Sequence, residues 1–218
     1  MKKYYQLLQS DREADLYIYG DITSFPWLES DVSAYNLSHE LSALDVDSIN
    51  VYISRYGGEV MEGLAIYNAL KRHDAKVTTI CDGFACSIAS VIFMAGEERI
   101  MHDASMLMIH NAWTYASGNA DELRKQAEDL DKITSASVAA YMSHVNITEE
   151  ELKELLDAES WISPQEAVEM GFATAIETDG IISKPSQSAR KAMYEKLMCK
   201  EKEPEKSLMQ ILSGFIFE

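Results

Sequence analysis

Apolar and polar positions follow two periods along this chain. Residues 15–20 (Asp-Leu-Tyr-Ile-Tyr-Gly) alternate and end in glycine, which predicts a strand. Residues 29–44 carry Val32, Leu37, Leu41 and Leu44 at helical spacing. A β-branched run at 49–54 predicts a second strand. Gly57-Gly58 breaks it, and Val60, Leu64, Ile66, Tyr67 and Leu70 then follow a helical period. Another short strand is predicted at 76–81. Residues 86–95 are small and apolar throughout, as in a helix buried on all sides. Ile100-Met101 and 106–109 predict two further strands. This alternation of strand and helix argues for an α/β fold with right-handed crossovers.

The second half differs. Residues 121–143 predict one long helix, with Leu123, Ala127, Leu130, Ile133 and Val138 on one side and charges on the other. Asn119 or Ser117 is placed to cap it. At about 1.5 Å per residue it is longer than a compact core needs, so it is expected to project towards a partner. Thr148 with Glu151 is a capping box, and Ser163-Pro164-Gln165-Glu166 repeats that signature with proline at the first helical position. Gly171 ends that helix, and 172–176 read as a last strand. From about 178 the composition shifts to Gly180, Pro185 and Ser186, then to a tail rich in Lys and Glu that ends in an apolar cluster at 208–217. The organisation expected is one domain over 1–178 and a C-terminal extension over 179–218, a charged linker with a short apolar end.

Composition narrows the partners. The chain has 218 residues, with 19 Lys and Arg against 36 Asp and Glu, a formal charge of −17. So negative a surface repels phosphates and disfavours nucleic acid or an anionic membrane. No run of about 18 apolar residues suggests a membrane span, and the first residues lack the apolar stretch of a secretory signal. Cys81, Cys86 and Cys199 are too sparse and too poorly spaced for a zinc site, and they fit a reducing compartment. A cytoplasmic protein without a metal is the expectation.

Three segments carry candidate chemistry. In Gly83-Phe84-Ala85-Cys86-Ser87, a strand ends, a glycine turns, and Ser87 opens an apolar helix. That placement sets a hydroxyl beside unpaired backbone N–H groups, which favour developing negative charge. The plainer role for Ser87 is a helix cap or a small packing residue. Gly57 and Gly58 at a strand-to-helix junction let the backbone approach a ligand closely, and their N–H groups are able to polarise a carbonyl. No Gly-Lys-Ser/Thr follows, so a nucleotide-binding loop is unsupported. His110 follows the apolar run Met106-Leu107-Met108-Ile109, where an imidazole emerges from a core into a cleft. His39, His73, His102 and His144 read as surface residues. Asp157 and Glu159 precede the strand-like Trp161-Ile162 and are the nearby carboxylates.

The order of these pieces resembles the Clp protease proteolytic subunit, over roughly residues 14–177. Ile53-Ser54-Arg55-Tyr56-Gly57-Gly58 stands where that family has I-N-S-P-G-G, and Ala65-Ile66-Tyr67-Asn68-Ala69-Leu70 matches the helix after it. Gly83 to Ser87 is similar to its G-x-A-A-S nucleophile segment, Met108-Ile109-His110-Asn111 to its M-I-H motif, and Glu166-Ala167-Val168-Glu169-Met170-Gly171 to its E-A-V-E-x-G helix. Gly118 to Leu123 and Glu159-Ser160-Trp161 resemble the phage and prophage branch, typified by head-maturation proteases. The resemblance implies an α/β ClpP/crotonase-like fold of repeated βαβ units, with a handle helix at 121–143. It implies a serine endopeptidase, ATP-dependent through a partner, with Ser87 as nucleophile, His110 as general base, and Gly58 and Ile88 N–H groups as the oxyanion hole. Gly57 and Asn111 would lie against the substrate. Glu159 falls where the family has Asp, and Asp157 is the competing acid.

Arg55-Tyr56 in place of Ser-Pro is a further departure. Cys86 in place of Ala adds a thiol beside Ser87. Neighbouring helical residues point about 100° apart, so Cys86 is expected to pack rather than react. No cofactor is implied. The implied partners are polypeptide substrates, further copies in a heptameric ring or stacked rings, and either an unfoldase ATPase or phage capsid proteins. Two other readings remain open at this point: a crotonase-like acyl-CoA-binding enzyme, and a catalytically inactive ring or assembly subunit.

Overall fold

The computed structural model describes residues 7–10, 12–26 and 31–184. The apolar cluster at 208–217 and the rest of the extension from 185 lie outside the described residues.

A mainly parallel sheet is the frame. Its order is β1 (Leu7–Ser10), β2 (Glu13–Ile18), β3 (Ser48–Arg55), β4 (Lys76–Cys86), β5 (Glu98–His102), β8 (Ala175–Thr178) and β9 (Ile181–Ser183). The edge pairs β1–β2 and β8–β9 are antiparallel and the inner pairs parallel. Alternation decides the faces. Ala14, Leu16 and Ile18 of β2 and Ile49, Val51 and Ile53 of β3 are buried, while Tyr17 and Tyr52 stack on the opposite side with centroids 4.7 Å apart. The buried face is covered by α1 (Ala34–Ser42), α2 (Val60–Arg72) and α3 (Ile88–Phe93). Each crossover follows a strand, the βαβ arrangement read from the pattern. All six residues of α3 are buried, as its uniform apolarity requires.

One predicted feature is corrected here. The strand beginning at 76 does not stop for a turn at Gly83; β4 continues to Cys86. It changes partner instead. Thr78 to Cys81 pair with β5, and Phe84 to Cys86 pair with β6 (Met106–Met108), which in turn pairs antiparallel with β7 (Trp161–Ile162). Gly83 packs against Ser54: a Cβ there would come within 2.7 Å of Ser54 Oγ, a hydroxyl that could turn aside. This forked strand delivers the end of β4, the end of β6 and the start of β7 to one place.

The long helix, α4 (Ala120–Met142), is capped by Asn119 in a capping box with Glu122. Only Val138, Ala140 and Tyr141 are buried, all near its C-terminal end, so most of its length of about 35 Å projects. The boxes at Thr148/Glu151 and Ser163/Glu166 start α5 (Glu149–Asp157) and α6 (Pro164–Met170), and Gly171 closes α6 in the left-handed conformation at φ 85°. The last strand lies later than expected. Phe172 and Ala173 are buried beyond α6, and the β8–β9 hairpin turns at Asp179-Gly180, both at positive φ, inside the stretch read as a linker.

Arg99 is buried and, among the described residues, has no carboxylate partner. Its guanidinium donates to the carbonyls of Gly96 (3.0 Å), Gly171 (3.3 Å) and Phe172 (2.8 Å), where α3 and α6 end. Carbonyls at helix C-termini suit a cation. Burial lowers its pKa to about 10, still charged at neutral pH. Three histidines are not the surface residues expected. His73 Nε2 donates to the Leu41 carbonyl and its Nδ1 accepts from Ala75 N–H, His102 faces Asp82, and His144 is part-buried. Among the described residues, no helix is long and apolar enough to cross a membrane.

Candidate active site

Ser87 joins β4 to α3 and stands at the cap position of the helix, yet its side chain makes no capping bond. Its backbone is held at φ 53° and ψ −129°, a conformation that an L-residue adopts only under constraint. The constraint is visible. Ser87 N–H donates to the Met108 carbonyl at 2.7 Å, and the Ser87 carbonyl accepts from Ser90 N–H at 3.0 Å and Ser90 Oγ at 2.5 Å. With both backbone groups tied, the hydroxyl is turned out of the helix. Its Oγ lies 2.8 Å from His110 Nε2. The bond to Met108 also ties the serine backbone to the strand that carries the histidine two residues later.

The glycine pair packs beneath this serine. A Cβ on Gly57 would sit 2.8 Å from Ser87 Cβ and 3.0 Å from the Cys86 carbonyl. One on Gly58 would sit 2.1 Å from the Ile22 carbonyl oxygen, and both glycines have positive φ. Ile22 N–H donates to the Gly57 carbonyl at 3.5 Å, and Glu59 N–H donates to the Ile22 carbonyl at 2.8 Å. Those two groups face Ile22, so the intervening Gly58 N–H faces the other way, as alternate peptides of an extended chain do. Gly58, Ser87 and His110 line one open cleft of about 590 Å³, with Phe25, Tyr56 and Trp113 along its mouth. Ile88, the first residue of α3, follows Ser87 directly.

The carboxylates stand differently. Asp157 Oδ1 accepts from Asn111 Nδ2 at 2.7 Å, and both residues line a separate groove along α4 and α5. Asn111 also lines, with Ser87, Ile88 and His110, a small pocket beside the cleft. Among the described residues, neither Asp157 nor Glu159 hydrogen-bonds to the imidazole, and Glu159 is exposed at φ 49°. The β6–β7 ladder pairs Leu107 with Ile162 and Met108 with Trp161, and Ile109 N–H donates to the Ser160 carbonyl at 3.0 Å. The pairing ends there: the N–H groups of Glu159 and Ser160 close α5 on the Leu156 and Leu155 carbonyls, so Glu159 lies one residue before the paired Ser160 and Asp157 is the last residue of the helix.

Cys86 is buried, and burial, with Cys81 as a lesser cause, pushes its thiol up to about 11. Burial also pushes the Cys81 thiol up to about 11. Both are free thiols with little thiolate at neutral pH. Among the described residues, no group of three His, Cys, Asp or Glu is placed to hold a metal ion. The sequence reading passed over Ser90, whose hydroxyl reaches the serine carbonyl. A serine three residues into an apolar, fully buried helix was the available signal, since a buried hydroxyl needs a partner.

Comparison with known proteins places the chain in a family. The family described as Clp protease matches residues 27–180. The ATP-dependent Clp protease proteolytic subunit of Deinococcus radiodurans is 37% identical over 126 residues, 57% of this chain and 62% of that protein. The match thus covers less than two thirds of that relative's length. The subunit of the same description from Bacteroides fragilis is 33% identical over 148 residues, 65% of this chain and 72% of its own. Since the matched region takes in the forked strand, the glycine pair, Ser87 and His110, this chain belongs to the Clp protease family.

Proposed function

We propose that the chain is a serine endopeptidase that hydrolyses peptide bonds of polypeptide substrates through Ser87, His110 and Glu159. The observation that carries this reading is the 2.8 Å contact between Ser87 Oγ and His110 Nε2 on the cleft that Gly58 also lines. A serine hydroxyl is a poor nucleophile at neutral pH. Nε2 takes its proton as Oγ bonds to the substrate carbonyl carbon, and the same proton then passes to the leaving amine. Water cleaves the acyl-serine by the same route in reverse. For Nε2 to accept, the ring proton must sit on Nδ1, and a carboxylate facing Nδ1 holds that tautomer. Glu159 is assigned this place because it lies one residue before Ser160, which pairs with the residue before His110, and a glutamate has the length to reach from an exposed position. Apo sites of this kind are often loose before substrate binds.

The oxyanion is assigned to the N–H groups of Gly58 and Ile88. Loss of one such donor typically lowers kcat by about 10²–10³. Gly57 supports the wall beneath Ser87, and the aromatic mouth of Phe25, Tyr56 and Trp113 offers apolar area to substrate side chains.

The reading extends by family to a homo-oligomeric ring, with α4 as the projecting handle, and to a cytoplasmic setting with an unfoldase ATPase as partner. The phage and prophage branch, with capsid proteins as substrates, rests on the resemblance of Gly118 to Leu123 and of Glu159-Ser160-Trp161. Incubation with a fluorophosphonate probe tests the chemistry. Labelling confined to Ser87, with peptide hydrolysis lost in Ser87→Ala, supports the proposal. Hydrolysis retained by purified Ser87→Ala, or binding of acyl-CoA by a protein whose Ser87 never reacts, defeats it.

A further inference from the structure

Beneath the serine lies a second, fully buried pair of hydroxyls with no part in the triad or the oxyanion hole. Ser90 on α3 and Tyr141 on α4 are each about 1% exposed, and their oxygens lie 2.7 Å apart across 51 residues of chain. The direction of the bonds follows from counting protons. Ser90 Oγ lies 2.5 Å from the Ser87 carbonyl, which only accepts, so the single Ser90 proton is spent there. Tyr141 must therefore be the donor to Ser90 Oγ. Burial holds the Tyr141 phenol well above its ordinary value, so it keeps the proton it donates. The Tyr141 ring is itself set edge-on against Phe172, centroids 5.7 Å apart. The chain runs one way, from the phenol of α4 through Ser90 to the carbonyl of Ser87.

That carbonyl belongs to a consequential peptide. In a trans peptide, the C=O of one residue and the N–H of the next point in opposite directions in one plane. The Ser87 carbonyl points at Ser90, so the Ile88 N–H points away from it. We propose that Tyr141 and Ser90 are positioning residues that lock the Ser87–Ile88 peptide plane and thereby keep the Ile88 N–H aimed at the developing oxyanion. This rests on the serine-protease reading above. Without the Ser90 hydroxyl, the carbonyl keeps, among the described residues, the 3.0 Å bond from Ser90 N–H. Held by that one bond, the plane can turn about Ser87 ψ and Ile88 φ, carrying the N–H with it. Neither side chain touches substrate. The expected loss is therefore in transition-state stabilisation and not in substrate binding.

The test compares wild type, Ser90→Ala and Tyr141→Phe for kcat and KM on a fluorogenic peptide, and for inhibition by the matching peptide aldehyde, whose serine adduct places an oxygen in the same hole. Expected is a fall in kcat of about tenfold or more in Ser90→Ala and a smaller fall in Tyr141→Phe, with KM within about twofold and aldehyde affinity weakened in step. Thermal melts accompany each variant. If Ser90→Ala shows no cooperative melt, Tyr141→Phe, which loses one oxygen only, decides. An unchanged kcat in both folded variants, or a loss seen only in KM, overturns the inference while wild-type activity leaves the protease reading standing. Wild type that neither cleaves peptide nor takes a fluorophosphonate overturns the reading, and the inference with it.

Discussion

Ser87 Oγ and His110 Nε2 meet at 2.8 Å from the ends of two neighbouring strands, β4 and β6. Two features impose that meeting. The partner switch of β4 places its last residues beside β6, and the Ser87 N–H to Met108 carbonyl bond fixes the serine at a set height along that strand. The strained backbone of Ser87 then decides which way the hydroxyl points. An ordinary N-cap serine would bond back into its helix; this one does not.

The thiol next door provides a contrast. Cys86 is intrinsically the better nucleophile, but its pKa near 11 leaves only about one thiolate in a thousand at pH 8. Cys86→Ala is expected to retain kcat/KM within about threefold, because the substitution empties a small buried volume and removes no reacting group. Iodoacetamide at pH 8 should leave Cys86 unmodified in the folded protein. Rapid alkylation with parallel loss of activity would move the nucleophile from Ser87 to Cys86.

The two carboxylates are separable by neutral isosteres. Glu159→Gln keeps size and removes the charge that the proposal sets against the imidazolium. By analogy with triad acids, a loss of about 10²-fold or more in kcat is expected. Asp157→Asn disturbs only the bond to Asn111 on the α4–α5 groove, and a change of less than about threefold is expected. A larger loss in Asp157→Asn than in Glu159→Gln would transfer the acid to Asp157.

Gly58 is held by close packing and carries a proposed oxyanion donor. An alanine there would drive its Cβ to 2.1 Å from the Ile22 carbonyl oxygen, backbone against backbone, at a φ of 155°. Neither partner is a flexible side-chain end, so the loop must shift. The Gly58 N–H moves with it. Gly58→Ala is expected to lower stability by about 1–3 kcal/mol and kcat by about 10²-fold. Urea melts and steady-state rates read the two separately. A folded variant with wild-type kcat would remove Gly58 from the oxyanion hole.

Much of this was legible in the chain because the local signals and the fold agree. The capping boxes at Asn119, Thr148 and Ser163 carry their own geometry, and the alternation at Ile49, Val51 and Ile53 fixes which face of β3 is buried. The forked strand was not legible. Gly83 reads locally as a breaker, while β4 runs through it and changes partner from β5 to β6, a pairing no sequence window contains. The β8–β9 hairpin carried its signal in Asp179-Gly180, which composition had assigned to a linker. The order of the glycine pair, Ser87 and His110 pointed to the site, but the direction of the serine hydroxyl depends on its positive φ, which goes with the bond from Ser87 N–H to the distant Met108 carbonyl. Ser90 and Tyr141 are distant in sequence, and neither suggests the other.

His144 gives the fold a dependence on pH that can be isolated. Its Nε2 is buried with no hydrogen-bond partner among the described residues, and burial, then Arg99, then Lys71, lower its pKa from 6.5 to about 4. The unfolded chain therefore binds more protons than the folded one between those values, so stability rises with pH across that window. The contribution is complete above about 6.5 and is lost as pH falls towards 4. Since the ring is only part-buried, solvent reduces the effect, and about 1 kcal/mol between pH 7 and pH 5 is expected. His144→Gln should flatten this slope. Carboxylates held below their ordinary values, such as Glu59 and Glu98, act at lower pH and are common to both proteins. Urea melts of wild type and His144→Gln at pH 5, 6 and 7 measure the difference. A stability gap between the two that stays constant across the series would show that His144 titrates in the folded protein as it does in the unfolded one.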